Sequence, residues 1–300
     1  MESSLDAKLA SSSAINKIFH IEHHVYEQRV LTIKSASADN HIMVTLKPDD
    51  VGDNFKIRGL FLPSDTEYSR TAAVELFIGG FNINKIPMRL IQALNRVNDV
   101  PDYMDFSYDT FFSDCIHLHL VAHIMIVELR FVDMPNEVSN NIEVLFDCCW
   151  LNNKELARMK GVIIDNYFKH VMPCYLPGKP SNNLGIQTIL VCERKDNIKS
   201  VKYDCQSNCG KTPVNVLHYN ERGVGVYGIK ITDRVTGFTT NPGKPWDVHY
   251  PEGNFNSSKF ENEQLVVERK KNDGAPLDVY FLATNQLHYE NGMAGPKFAW

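Results

Sequence analysis

The sequence predicts an all-β chain built as two antiparallel β-sandwiches in tandem, with short helices in the loops. Three observations carry this. Short apolar runs end repeatedly at Gly, Pro or Asn, no segment keeps the strand–helix–strand rhythm of a parallel sheet, and the loops are long and polar. A length of 300 residues allows two β domains or a single large one.

In chain order, residues 1–24 are expected to be an N-terminal arm, with a short helix within 1–18. His41 to Leu46 is a short strand closed by Pro48-Asp49-Asp50. Phe55 to Leu62 begins with period-two alternation and stops at Pro63, and Ala73 to Ile78 stops at Gly79-Gly80. Pro87 to Val97 has helical spacing at Leu90, Ile91, Leu94 and Val97, and a proline suits a first helical turn. Ile116 to Phe131 is rich in Ile and Val and reads as one long strand or two abutting ones. A bridge near residues 132–142 marks the expected boundary, giving a first barrel over 25–135 and a second over 136–300. Asn141 to Phe146 restarts the β pattern. A short helix begins at Asn152, with Asn153 as the expected N-cap and Glu155 in its first turn. Further strands are expected at 186–192, 200–203, 224–231, 264–267 and 277–282. The last run delivers Gly292-Met293-Ala294-Gly295 and the aromatics Phe298 and Trp300, which suits packed β structure better than a free polar tail.

The formal charge of −5 does not by itself attract nucleic acid, so no direct sequence-specific nucleic-acid partner is expected. No apolar stretch approaches the roughly 20 residues that cross a membrane, and the acidic, Ser-rich start does not read as a signal peptide. Seven cysteines, an odd number and several in apolar runs, suggest free thiols in a reducing compartment.

Five blocks in chain order resemble the major capsid protein family of the nucleocytoplasmic large DNA viruses. The clearest is Pro251-Glu252-Gly253-Asn254-Phe255-Asn256-Ser257-Ser258-Lys259-Phe260-Glu261-Asn262, matching a Pro-x-Gly…Asn-x-Ser…Asn pattern, with Ser257 departing from a usual Phe. The C-terminus supplies Asn285, Leu287, Gly292-Met293-Ala294-Gly295 and Phe298, with His288 in place of a usual Arg. Val74 to Ile83, carrying Gly79-Gly80, resembles a first-barrel block, although Phe81 replaces a usual Gln. Leu118 to Ala122 followed by Val127 to Phe131, and Trp150 to Arg158, complete the set. The family is usually longer, and the missing length is expected in outer-face loops.

The resemblance implies a short, divergent double jelly-roll and a structural capsid subunit, not an enzyme. It implies homotrimers that are pseudo-hexameric, tiling with neighbouring capsomers into an icosahedral shell. Minor capsid or penton proteins would be further partners, an internal membrane could lie beneath, and the protein would reside in the virion and, during assembly, the host cytoplasm. Alternatives are a minor capsid or transient scaffolding protein, or a carbohydrate- or receptor-binding jelly-roll. Phe255, Phe260, Tyr289, Phe298 and Trp300 are candidates for subunit contacts, against the commoner role of core or loop packing. Gly79, Gly80, Gly253, Gly292 and Gly295 are candidate turn residues.

No catalytic, cofactor or metal site is expected. Cys205-x-x-x-Cys209, with Cys192 and His218, lacks a second tight pair, so free thiols are the better reading. Cys148 and Cys149 should face opposite sides of a strand, one in the core and one at the surface. Gly210-Lys211-Thr212 lacks the glycine a phosphate loop needs five residues earlier, where Cys205 stands. His117 and His119 would share a strand face, as metal ligands can, but no carboxylate at matching spacing completes a site. Protonation of such histidines could still make assembly pH-sensitive.

Overall fold

The computed structural model describes residues 25–33, 41–61, 66–98, 103–105, 111–113, 115–122, 124–139, 142–159, 161–174, 186–194, 198–206, 214–216, 224–231, 261–270 and 277–297. The expected arm, and with it Gly253, Phe255, Phe260, Phe298 and Trp300, lies outside these residues.

The first sandwich uses β1 (Val25–Ile33), β2 (Ile42–Thr45), β3 (Asn54–Phe61), β4 (Ala73–Ile78), β5 (Phe81–Pro87), β6 (Tyr103–Asp105), β7 (Ile116–His117), β8 (Val127–Val132) and β9 (Ile142–Trp150). One sheet runs β1-β9-β3-β6, with β7 also on β3, and the other runs β2-β8-β4-β5. All these pairings are antiparallel. Apart from the β4-β5 hairpin and the neighbours β6 and β7, the chain crosses from one sheet to the other at each step, and the last strand returns beside the first, which is the jelly-roll arrangement. Period-two patterning explains the core: β8 buries Val127, Leu129 and Phe131, and β9 buries Ile142, Val144 and Phe146. Phe55 meets Phe146 edge-on, with ring centroids 5.8 Å apart. On the outer face Arg130 holds Glu128 at 2.6 Å and lays its guanidinium 3.8 Å over the Phe77 ring.

Short helices decorate the loops: α1 (Pro48–Val51), α2 (Met88–Asn98), α3 (Asn136–Ser139) and α4 (Asn153–Met159). Asn152 caps α4, one residue before the expected cap. Its Oδ1 accepts from the N–H groups of Lys154 and Glu155 at 2.9 and 3.0 Å, and Glu155 accepts from the Asn152 N–H at 2.9 Å. This reciprocal pair is a capping box.

The second sandwich uses β10 (Ile164–Cys174), β11 (Ile186–Arg194), β12 (Ile198–Gln206), β13 (Val214–Val216), β14 (Val224–Ile231), β15 (Glu261–Arg269), β16 (Asp278–Glu290) and β17 (Met293–Pro296). Its larger sheet runs β10-β16-β11-β14-β13 with β17 on β16, and β12 pairs with β15. The path β10-β16-β11-β14 repeats the logic of β1-β9-β3-β6: first strand beside a late one, that one beside an early one, and the early one beside a later one. The sequence shows no strict repeat, yet the topology does.

Two expectations need correction. The boundary at 132–142 would hand β9 to the second barrel, but β9 pairs with β1 and β3, so the first sandwich runs through Trp150. A jelly-roll's last strand lies central in its sheet, and the Pro135 bridge is an internal connection. The stretch from 116 to 131 is not one strand: β7 ends at His117, Leu118–Leu120 forms a 3-10 turn, and β8 starts at Val127. β1 and β10 escaped the sequence reading altogether.

Candidate assembly surfaces and the seam between the sandwiches

The buried apolar residues of the two sandwiches form one contiguous cluster, from Phe131 and Phe146 to Phe168, Tyr280 and Leu287. Polar side chains fix the seam through it. Asn84, on β5, is fully buried, and its Nδ2 donates to the carbonyls of Phe111 at 2.6 Å and Lys169 at 2.7 Å. Its Oδ1 accepts from the Val171 N–H at 3.1 Å. Residues 169 and 171 present their backbone groups on one edge of β10. The Asn84 amide therefore satisfies that edge much as a peptide unit of a neighbouring strand would. Asn166 of β10 reaches back, donating to the Cys115 carbonyl at 2.9 Å.

Tyr289 lies at the same seam. It is fully buried, its hydroxyl accepts from the His117 N–H at 3.2 Å, and its ring meets the His117 ring edge-on with centroids 5.1 Å apart. Burial pushes its hydroxyl well above the usual range. Tyr289 thus joins the sandwiches within one chain instead of facing another subunit. Aromatic identity alone could not separate the two, because both places favour large rings.

His117 is also fully buried, with Nδ1 2.8 Å from the Asn54 Oδ1. With the amide oxygen as acceptor, Nδ1 is the ring nitrogen that donates. Burial, then the neighbouring His119, depresses its pKa to about 3. His119 lies on the 3-10 turn, with Nδ1 3.3 Å from the Asp53 carbonyl, and burial lowers its pKa too. The two rings meet edge-on at 5.7 Å, so they do not line up on one strand face. Among the described residues, no group of three or more His, Cys, Asp or Glu could hold a metal ion. Cys192 and Cys205 lie on different sheets, and Cys209 and His218 are outside the described residues. Cys148 and Cys149 are both buried, correcting the expectation of one at the surface. Burial first, then Asp53 and Glu155, pushes Cys149 up to about 12.

An ion triad closes another part of the seam. The buried Asp278, opening β16, receives Arg70 and Arg89 at 2.9 Å each. Both arginines belong to the first sandwich, so the contact bridges the two.

The glycine turns share one end of the molecule. Gly79 and Gly80, with φ of 58° and 85°, form the two-residue turn joining β4 to β5. The second turn is Asn291-Gly292, φ 52° and 79°, between β16 and β17, and the Gly292 carbonyl accepts from the Ala122 N–H at 2.8 Å. Gly295 is not in a turn but inside β17. The Asn291-Gly292 turn, the stretch from Leu118 to Val127 and the loop after α4 line an apolar cleft of about 840 Å³, with Leu46, His119, Val121, Ala122, Val162 and Gly292 among its walls.

The sequence reading missed the apolar side chains that stay exposed. Ile124, 90% exposed, lies near this end with Ile126, Val162, Ile163 and Met293. Val25 and Val30 are 61% and 49% exposed on β1, which has no strand on its outer edge among the described residues. A β-branched residue on a strand face that none of the described residues covers is the available signal, but it requires knowing the face.

No protein-family model matches the sequence, and no curated protein does. Solved structures do. The chain superimposes on PBCV-1 VP54, as fitted into a cryo-EM reconstruction of the virophage Sputnik, with a TM-score of 0.63 and 13% identity, over 93% of this chain and 98% of that one. A quasi-atomic model of the PBCV-1 virus capsid aligns with a TM-score of 0.60, 13% identity and the same coverages, 93% and 98%. The match spans nearly all of both chains, and the fold is a double jelly-roll.

Proposed function

We propose that this chain is a structural subunit of a virion shell, assembling as pseudo-hexameric trimers into an icosahedral lattice. The observation that carries the reading is the repeated strand order, two jelly-rolls locked side by side through one core, aligned end to end with chains from a viral capsid. Two similar barrels held rigidly make a brick with two nearly equivalent flanks. Three such bricks place six barrels round a ring, and rings of six tile a surface. The three-fold contact is heterologous, one flank meeting a different flank of the next copy. Apolar burial supplies its energy: about 1,000 Å² would give roughly 25 kcal/mol before ordering losses. Surface ion pairs, at about 0–1 kcal/mol each, are too weak to compete.

In this reading the protein works by shape and self-association, without catalysis, and its home is the particle. Its further partners are the minor capsid or penton proteins that fill vertices and seams. Negative-stain imaging of the concentrated protein tests the proposal. Hexagonal capsomers or their sheets are the expected result; discrete single-copy particles that bind a glycan or receptor would replace it with the carbohydrate-binding reading. Abundance in purified particles then separates a main coat protein from a scaffold that leaves.

A further inference from the structure

The cleft beside the Asn291-Gly292 turn carries two unmet demands. Its wall is apolar and open: Ile126 and Val162 line it and are 52% and 40% exposed. Next to them in the chain stand Ile124, 90% exposed, and Ile163, 58% exposed. Apolar side chains gathered in this way mark a surface that something covers. The second demand is polar. His119 also lines the cleft, and its Nε2 is buried with no hydrogen-bond partner among the described residues. Its Nδ1 lies 3.3 Å from the Asp53 carbonyl, which only accepts, so Nδ1 donates and the neutral ring offers Nε2 as an acceptor. An occupant with both apolar side chains and N–H groups meets both demands, whereas a hydrocarbon chain meets only the first. The cleft therefore fits a peptide.

The chain's own N-terminal residues are a peptide tethered at its rim. β1 begins at Val25, which pairs with Trp150, and the Trp150 indole donates to the carbonyl of Pro48, a cleft residue, at 3.0 Å. From there β1 runs to Ile33 at the opposite end of β9, so the 24 residues before Val25 leave on the cleft's side. Among them Ile15, Ile18 and Phe19 have the i, i+3, i+4 spacing that gathers apolar side chains on one helix face. Ten residues lead from Ile15 to Val25 and can span up to about 35 Å, against the two contacts that separate Val25 from Pro48. A short tether also sets an effective concentration on the order of millimolar, so even a weak contact stays made.

We propose that residues 15–19 of the N-terminal arm dock in this cleft of their own chain, with Ile15, Ile18 and Phe19 against Val121, Ile126 and Val162 and an N–H given to His119. The docking needs one chain only and does not depend on the shell reading.

The experiment uses the full chain. Trypsin cleavage after Lys17 is timed in wild type, Phe19→Asp and Val162→Asp, beside a synthetic peptide of residues 10–24. Val162 is already part-exposed, so its variant should keep the wild-type melting temperature. In parallel, p-benzoylphenylalanine in place of Ile18 is irradiated in a mixture of isotopically light and heavy chains. The expected result is cleavage at least tenfold slower in wild type than in the peptide, and within about twofold of the peptide in both variants. Cross-links should run from position 18 to residues 118–127 or 161–163 of the same chain. Wild type cut as fast as the peptide, or all three chains cut equally slowly, overturns the proposal. So do cross-links between light and heavy chains, which put a neighbour's arm in the cleft, or a lipid retained in native mass spectrometry with no cleft cross-link. The mass of the assembly is read separately and judges the shell reading alone.

Discussion

Asn84 ties the first sandwich to β10 through its bonds to Lys169 and Val171. Asn84→Leu keeps the volume and removes three hydrogen bonds, those to the carbonyls of Phe111 and Lys169 and that from the N–H of Val171. At about 1–3 kcal/mol for each of the three groups, the expected loss is about 3–9 kcal/mol in urea denaturation. Asn84→Asp should be at least as damaging, because a carboxylate cannot donate to two carbonyls. A loss below about 1 kcal/mol for both would show that water replaces the amide. The histidines give a pH signature. Burial depresses His117 to about 3 and His170 to about 4, and His119 is lowered as well. A folded pKa below the unfolded value of about 6.5 means that the unfolded chain takes up the proton first. Their stability is therefore complete above about pH 6.5 and lost as pH falls towards 4, at up to about 1.4 kcal/mol per pH unit for each histidine. His288, raised chiefly by its hydrogen bond to Asp165, acts in the opposite sense but near the surface, where its weight is small. Melting temperature against pH should fall less steeply between 6.5 and 4 for His117→Gln than for wild type; parallel curves would remove His117 from the account.

At the scale of elements, turns and strand edges separate into strict and lenient positions. Gly52, which follows α1, has φ 86° and ψ 176°, a region open only to glycine, and an added Cβ would fall 2.6 Å from the Cys149 carbonyl oxygen. Gly80 has φ 85° with open space around it. Gly52→Ala should cost about 3 kcal/mol or more, and Gly80→Ala only about 1–2 kcal/mol. Equal losses in the two denaturation curves would contradict that ranking. Much of this level was legible in the sequence: β4 has its expected bounds, the helix from Pro87 appears as α2 one residue later, and the Gly79-Gly80 turn is where its glycines put it. What was not legible has physical causes. β10 buries Asn166, Lys169 and His170 along with Phe168 and Val171, because the other sandwich covers it, so its polar and apolar residues do not alternate by face. β1 is an edge strand with mixed outward residues and shows no clean period. Asn84 looks like an outward-facing polar residue between Ile83 and Ile86, and only the docked second sandwich turns that outer face into interior. The same cause hid the role of Tyr289: the chain meets itself where a neighbouring subunit was expected.

For the whole molecule, the two jelly-rolls share one core, an ion triad and buried amide bonds, so they should unfold together and not one after the other. Matching transitions from probes placed in each sandwich would bear this out, and two separated transitions would mean the seam is weaker than its contacts imply. Rigidity at the seam is what the proposed shell would need, since a hinge between barrels would let a ring of six lose its shape. The most direct test of the account is the mass of the native full-length protein by light scattering at neutral pH. The account predicts three times the 34.2 kDa chain, with larger species as concentration rises. A mass that stays at one chain at every concentration would contradict it.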